Sequence, residues 1–155
     1  MYASGEAVAE HVEPTTPEQV QPNGVDLTLE AVLVPTATGR VGVGGKTVAE
    51  RRELEPDGEP PTYFLEPGGY VARYAEAVSV PDDHVGFVYP RSSLMRNGAM
   101  MYTAVWDAGY EGRGVGLLLV THPIELVRGA RVAQLVFAEA DAAGAYDGTY
   151  QGENL

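Results

Sequence analysis

The fold class is indicated by residues 84–120, which read HVGFVYPRSSLMRNGAMMYTAVWDAGYEGRGVGLLLV. Three apolar runs, HVGFVYP, MMYTAVW and GVGLLLV, are rich in β-branched, aromatic or leucine residues and are closed by Gly, Pro, Asn or Asp, which predicts strands. Between the first two runs, SSLMRNG predicts one short helix that ends at Gly98. Strands joined by turns, with a single short helix between them, are typical of an all-β domain.

The same pattern extends in both directions along the chain. Residues 25–34, VDLTLEAVLV, begin with alternating apolar and polar positions, as in a strand with one buried face. Further strands are predicted in YFLEPGGYVARYAEAVSVP, IELV and RVAQLVFAEA. Residues 36–61 are rich in Gly, Pro and charge and predict a hairpin or a long surface excursion, in which we place no site. The first dozen residues and residues 15–18 are the only other helical candidates.

Size and composition indicate one globular domain. The chain has 155 residues, of which 45% are hydrophobic and 21% charged. Its 19 glycines and 11 prolines disfavour long helices. We expect a β domain over residues 1–143 and a separate tail over residues 144–155, mobile unless something docks it.

The charge balance narrows the class of partner. Ten basic against 22 acidic residues give a net charge of -12, and Lys46 is the only lysine. Such a surface repels polyanions, so we expect no nucleic-acid partner and no membrane partner. The absence of cysteine excludes disulfides and thiolate metal sites, and we expect a cytoplasmic protein. An acidic, lysine-poor exterior also suits the salt-rich cytoplasm of a halophile.

The segment PRSSLMRNG, residues 90–98, concentrates Arg91, Ser92, Ser93 and Arg96 at a predicted helix start. Guanidinium groups, hydroxyls and free backbone N–H groups together form a cradle for an anion such as phosphate. The alternative is that Ser92 only caps the helix and the arginines pair with surface carboxylates. The spacing alone leaves both open.

A second candidate segment is TAVWDAGYEGRG, residues 103–114, where Asp107 follows a predicted strand and precedes a glycine-containing turn. A carboxylate in that place is suited to act as a general base on water, although Asp before a turn is also routine hydrogen-bonding chemistry. Tyr110 either offers a flat ring to a sugar or base or belongs to the core. Asp26 is either a site carboxylate or a turn residue. The histidines lie far apart, without the spacing of a zinc site.

Taken in order, these segments resemble the trimeric dUTPase and dCTP deaminase superfamily. The resemblance covers most of the chain from Gln21 to Gln151. It rests on QPNGVDLTL, PRSSLMRNG, TAVWDAGYEG, RVAQLVF at residues 131–137 and the tail YDGTYQGEN.

The resemblance implies a distorted jelly-roll with one or two short helices, assembled as a homotrimer that shares its sites between subunits. It also implies that Asp107 activates a water molecule and that Asp26 helps, through water, to organise phosphates bound to Mg²⁺. The residues implied in nucleotide binding are Arg91, Ser92, Ser93, Arg96, Tyr110, Gln134, Tyr150 and Gln151.

Departures from the family pattern bear on the reaction. Arg96 and the tail look more like dCTP deaminases and archaeal bifunctional enzymes, yet the deaminase glutamate is expected where this chain has Leu117–Leu119. The nearest carboxylates, Glu111 and Glu125, are expected at turns. The sequence therefore predicts Mg²⁺-dependent hydrolysis of dUTP to dUMP and pyrophosphate. The alternatives are a dCTP deaminase or a bifunctional enzyme that also accepts dCTP, and a non-catalytic, nucleotide-binding regulatory trimer.

Overall fold

Antiparallel strands make up most of the regular secondary structure in the structure, a computed structural model that describes residues 1–155. The two α-helices are α1 (Gly5–Ala9) and α2 (Ser92–Arg96), and a single 3-10 turn covers Pro17–Gln19. The strands are β1 (Val12–Glu13), β2 (Val20–Gln21), β3 (Gly24–Pro35), β4 (Arg40–Gly42), β5 (Gly45–Thr47), β6 (Arg51–Glu53), β7 (Thr62–Leu65), β8 (Gly68–Tyr74), β9 (Ala77–Ser79), β10 (His84–Pro90), β11 (Ala99–Tyr102), β12 (Glu111–Gly112), β13 (Val115–Val120), β14 (Ile124–Val127) and β15 (Arg131–Glu139). The predicted all-β class with one or two short helices is confirmed.

The main sheet has the strand order β10-β15-β3-β8-β13-β11, and β2 and β6 also pair with β3. Its two ends approach each other, because an isolated antiparallel bridge joins Gly86 of β10 to Trp106, which follows β11. The sheet is therefore nearly closed, which leaves few free edges. Its interior is filled by large apolar side chains, the largest of which are Tyr63, Tyr74, Phe137, Leu27, Leu29, Leu118 and Leu135.

Two predicted strands differ from their sequence patterns. The start of β3, Gly24–Leu27, is buried on both faces instead of one, because α1 packs over it and β2 and β15 flank it. The run MMYTAVW forms a strand only as far as Tyr102. There the chain turns away, and Thr103 Oγ1 donates a hydrogen bond to the Val88 carbonyl oxygen at 3.3 Å. This crossing brings Trp106 to β10.

Helix α2 ends where the sequence predicts. Gly98 has φ +79°, and a Cβ there would lie 2.8 Å from the Cβ of His122, so only glycine fits the turn into β11. At the other end of the chain, Ser4 caps α1 by accepting a hydrogen bond from the Ala7 amide at 3.3 Å. Neither helix has the length and apolar content needed to cross a membrane.

Candidate functional site

Asp26 anchors a polar cluster at the start of β3. Its side chain is 1% exposed and forms ion pairs with Arg91 and with Arg131, the latter at 3.2 Å from Arg131 Nη1. Gln134 lies directly opposite Asp26 in the β15–β3 pairing, so both side chains share one face of the sheet. Burial and the positive charge of Arg131 lower the pKa of Arg91 from its usual value. The structure thus brings Asp26, Arg91 and Gln134 together.

Helix α2 presents its first turn next to this cluster. Arg91 is the N-cap residue, while Ser92 and Ser93 are the first helical residues and are exposed. No side chain caps the helix, so the alternative in which Ser92 is a cap is wrong. The alternative in which the arginines pair with surface carboxylates is wrong as well. Arg91 pairs with the buried Asp26, and Arg96 makes one hydrogen bond, from its Nη1 to the Ser92 carbonyl oxygen at 3.3 Å. Because neither serine caps the helix, the Ser92 and Ser93 hydroxyls are both free for a ligand.

A second concave region lies beside Asp107. It is a cavity of about 270 Å³ that is lined by Val48, Arg51, Ala104, Val105, Trp106, Asp107, Tyr110, Val115, Tyr146, Tyr150 and Glu153. The Asp107 side chain is exposed, with neither a side-chain hydrogen bond nor an ion pair. Its backbone oxygen accepts from the Tyr110 amide at 3.1 Å and closes a turn in which Gly109 has φ +78°. The turn thus holds the backbone while the carboxylate faces the cavity.

Tyr110 forms the floor of this cavity and is only 6% exposed. Its ring packs against Trp106 at 5.2 Å and Tyr146 at 5.9 Å between centroids. The hydroxyl donates to Glu153 Oε1 at 2.8 Å. Burial, followed by this bond, raises the pKa of Tyr110 far above its usual value. Burial also raises the pKa of the Glu153 carboxyl, against the lowering effects of the Tyr110 bond and the Arg51 charge.

The tail, residues 144–155, docks across the same turn. The Tyr146 amide donates to the Ala108 carbonyl oxygen at 2.7 Å, and a parallel bridge joins Glu153 to Gly112. Gln151 accepts from the Glu111 amide at 3.0 Å and donates to the Gly109 oxygen at 2.9 Å. Tyr150 lines the cavity and carries the Lys46 ammonium 4.5 Å over its ring centre. Both predicted tail residues therefore reach the Asp107 turn.

The two predicted halves of the site do not meet within one chain. Trp106, next to Asp107, is bridged to Gly86, whereas Arg91 lies five residues farther along and just beyond the end of β10. Five residues of extended strand span about 16 Å. Arg91, Ser92 and Ser93 accordingly do not line the cavity beside Asp107.

Residues 36–61 contribute to the cavity, which corrects our expectation that this excursion holds no site. Val48 and Arg51 line it, and the β4–β5 hairpin carries Lys46 to the tail. The predicted hairpin itself is confirmed by the pairing of β4 with β5. No pattern in the segment marked Arg51, because its neighbours in sequence are also polar and exposed. The sequence likewise predicts Trp106 only as part of the strand MMYTAVW and not as a cavity residue.

The carboxylates provide no ready metal cage. No group of three His, Asp or Glu side chains is placed to hold an ion. The Asp26 carboxylate is already engaged by two guanidinium groups. Any metal here would therefore depend on oxygen atoms that a ligand brings.

The position expected for a deaminase glutamate is apolar on both faces of β13. Leu118 is fully buried, while Leu117 and Leu119 are 48% and 36% exposed on the other face. Glu111 and Glu125 lie in strands β12 and β14, so the expectation that they sit at turns is wrong. No carboxylate lies within residues 115–120.

A sequence model described as dCTP deaminase-like matches residues 3–140. The chain belongs to the dCTP deaminase-like family. This confirms the resemblance to the dUTPase and dCTP deaminase superfamily. The matched residues include both the α2 segment and the Asp107 turn, so the family match covers both halves of the site.

Relatives in this family align with most of this chain over most of their own length. A probable deoxyuridine 5'-triphosphate nucleotidohydrolase from Halobacterium salinarum is 54% identical over 99% of this chain and 95% of its own length. A deoxyuridine 5'-triphosphate nucleotidohydrolase from Methanocaldococcus jannaschii is 37% identical over 87% of this chain and 88% of its own.

Solved structures share the fold at lower identity. The 2'-deoxycytidine 5'-triphosphate deaminase of Agrobacterium tumefaciens superposes with a TM-score of 0.66 at 21% identity. The match covers 90% of this chain, which spans 48% of that longer one. A mutant dUTPase from phage phi11 of S. aureus, described as coordinating a structural Mg(II) ion, superposes at 0.52 and 17% identity over 92% and 93% of the two chains.

Proposed function

We propose that this chain hydrolyses dUTP to dUMP and pyrophosphate. The observation that carries the proposal is the unpaired Asp107 carboxylate at the edge of a cavity floored by Trp106 and Tyr110. Archaeal relatives that bear the name of this activity share up to 54% of their residues with the chain. An aromatic floor suits a base and sugar, and a free carboxylate beside it suits proton removal from water.

In the proposed reaction, Asp107 accepts a proton from a water molecule that attacks the α-phosphorus of the nucleotide. The water oxygen forms the new bond to phosphorus, and the bond to the bridging oxygen of the departing pyrophosphate breaks. The turn that fixes the Asp107 backbone keeps the carboxylate in place, so positioning supplies a large part of the acceleration. Tyr110 packs on the deoxyribose of the nucleotide and leaves no room for the 2'-hydroxyl of a ribonucleotide.

Mg²⁺ is the proposed cofactor. Magnesium sites commonly use one or two carboxylates together with substrate phosphates and retain several waters, and this donor set fits a chain without an all-protein cage. When bound, the ion neutralises charge on the phosphates. Asp26 contributes indirectly, since its carboxylate holds Arg91 at the start of α2.

The active assembly is proposed to be a homotrimer with shared sites. The separation of Asp107 from Arg91, Ser92 and Ser93 supports it, because a second copy has to bring a phosphate cradle to each Asp107. A free apolar face supports it as well, with Leu117, Tyr102 and Tyr89 about half exposed. Such patches on a soluble chain mark contact surfaces. Ser92, Ser93 and Arg96 of one protomer, with Gln134 beside them, would then meet the cavity of another.

Residues 144–155 are the proposed lid over a domain formed by residues 1–143. Tyr150 and Gln151 reach the Asp107 turn through side-chain contacts, which a nucleotide in the cavity would extend. The cytoplasm is the proposed compartment, supported by the acidic, lysine-poor composition.

Deamination of dCTP is the second candidate, favoured by the family description and by Arg96. It requires a proton carrier near the cytosine ring, and the leucines of residues 117–119 provide none. A regulatory trimer without catalysis would have no use for a free carboxylate at Asp107.

One assay separates these functions. The protein is incubated with Mg²⁺ and dUTP, dCTP or dTTP, and pyrophosphate and ammonia are measured separately. Pyrophosphate from dUTP without ammonia from dCTP is the expected result. Ammonia from dCTP establishes deamination. If no nucleotide yields either product, the regulatory trimer is the remaining candidate.

A further inference from the structure

Arg51 is the only cation among the residues that line the Asp107 cavity. It begins β6, which pairs with the end of β3 through Pro35 opposite Arg51. The strand is exposed along its length. Arg51 thus stands at an edge of the fold, with its backbone fixed by the main sheet and its side chain directed to the cavity.

The Arg51 guanidinium has no partner of its own. It forms neither an ion pair nor a side-chain hydrogen bond, although acidic residues outnumber basic ones by 22 to 10. Arg73, Arg91 and Arg131, by contrast, all pair with carboxylates. Its charge still reaches the cavity wall, where it acts on the Glu153 carboxyl.

The cavity needs a cation if it is to receive a nucleotide. Asp107 and Glu153 both line it, and the whole chain has a net charge of -12. An anionic phosphate beside Asp107 is repelled unless a positive group offsets that field. A guanidinium offers several donors in a fixed planar arrangement that matches phosphate oxygens.

We propose that Arg51 is a further nucleotide-binding residue, which donates hydrogen bonds to a phosphate oxygen of the substrate held next to Asp107. A cavity of about 270 Å³ is roughly 8 Å across, so a phosphate at Asp107 lies within reach of Arg51. The proposal rests on the proposed function and adds a contact from residues 36–61. Lys46 of the same segment already touches Tyr150 of the tail, so the segment faces the site at two points.

Arg52 provides a matched control. It is the next residue of β6, is also exposed and unpaired, and lies opposite Val34, but it does not line the cavity. The variants R51Q and R52Q remove the same charge from the chain. A long-range effect of net charge therefore changes both alike, whereas direct contact changes only R51Q.

The test measures the dissociation constants of a non-hydrolysable dUTP analogue with Mg²⁺ and of uncharged deoxyuridine, for the parent protein, R51Q, R51K and R52Q. We expect R51Q to weaken binding of the analogue about 10- to 100-fold and of deoxyuridine less than twofold, with R51K in between and R52Q near the parent. Light scattering and thermal melting establish that each variant keeps the parental assembly and fold.

Several results overturn the proposal. They are equal losses in R51Q and R52Q, equal losses of analogue and nucleoside binding in R51Q, or a change of assembly in R51Q alone. Because the readout is binding, a parent protein that binds the analogue but releases no pyrophosphate from dUTP refutes the proposed hydrolysis and still tests Arg51. A parent that does not bind the analogue refutes both.

Discussion

Asp26, with 1% of its side chain exposed, is the counter-ion of Arg91, the residue from which α2 begins. The pair joins the start of β3 to the β10–α2 corner. It also determines where the proposed phosphate cradle stands, because the same corner carries Ser92 and Ser93. Arg131 completes the arrangement from β15 and shares the Asp26 carboxylate.

Replacing Asp26 by Asn should both destabilise the protein and weaken nucleotide binding. The change leaves Arg91 and Arg131 next to each other without a counter-charge, and removing one member of a buried pair is costly. Since both arginines are partly exposed, we expect a loss of about 1–3 kcal/mol in the free energy of unfolding. Denaturant melting and KM for dUTP measure the two effects. D82N, in an exposed turn, is the control. A D26N protein with parental stability and parental KM would contradict the role of Asp26 in holding Arg91.

Asp107→Asn should leave the fold and nucleotide binding in place but reduce kcat by at least about 10²-fold, because an amide does not accept the proton of the attacking water. Steady-state kinetics and analogue binding are measured in parallel. The exposed tail residue Asp147 provides the control variant D147N. A kcat within a fewfold of the parent would remove Asp107 from the mechanism.

Leu117→Glu should convert the proposed trimer to monomers. Leu117 lies on the exposed face of β13, 48% exposed, where a carboxylate is well solvated in an isolated chain but costly in an apolar interface. Light scattering reports the mass and a dUTP assay the expected loss of activity. Val127, 37% exposed on β14, offers the control V127E. If L117E remains the size of the parent, this face is not the interface.

Tail docking should weaken as the pH rises. Burial raises the pKa of Glu153 above its ordinary value of 4.5, so the docked tail retains a proton that a released tail loses. Docking is therefore strongest below pH 4.5 and declines as the pH rises through the higher, docked-state pKa. Hydrogen-exchange protection of the Tyr146 amide, relative to amides of β15, measures this. E153Q should abolish the dependence of this protection on pH. If the protection of E153Q falls with pH as steeply as that of the parent, the effect belongs to other titratable groups.

Truncation after Ala143 should leave a cooperatively folded protein whose kcat/KM for dUTP is reduced at least tenfold. Of the tail, only Tyr146 packs against the hydrophobic core, so little of the core is lost, whereas Tyr150 and Gln151 disappear from the turn. Melting curves and kinetics are compared with a control that ends at Glu153. Parental kcat/KM in the truncated protein would refute the lid.

The sequence predicts the strands well where Gly or Pro lies at or near the ends of an apolar run. HVGFVYP and IELV match β10 and β14 residue for residue, and Gly98 ends α2 as expected. These signals are local, since a turn residue acts on its own backbone. A local contact also joins Asp107 and Tyr110, because the backbone hydrogen bond between them closes a turn of only four residues.

Other features depend on contacts that are distant along the chain. The burial of both faces of β3 requires α1 to cover it, and the end of β11 at Tyr102 depends on the later bridge between Trp106 and Gly86. Arg51 reaches the cavity only because β6 pairs with β3. No periodicity within residues 36–61 contains that information.

The contact of Lys46 with Tyr150 joins two stretches of chain that are about a hundred positions apart and that both lie outside the core. Residues in the core limit one another's side-chain size because they share one packed volume. The hairpin and the tail instead limit one another's length, because they have to extend far enough to touch. A hairpin that gains or loses two residues no longer meets the same point of the tail. Hairpin length and tail sequence should therefore covary among homologous proteins. A chimaera that receives only the hairpin or only the tail from a homologue should lose this contact.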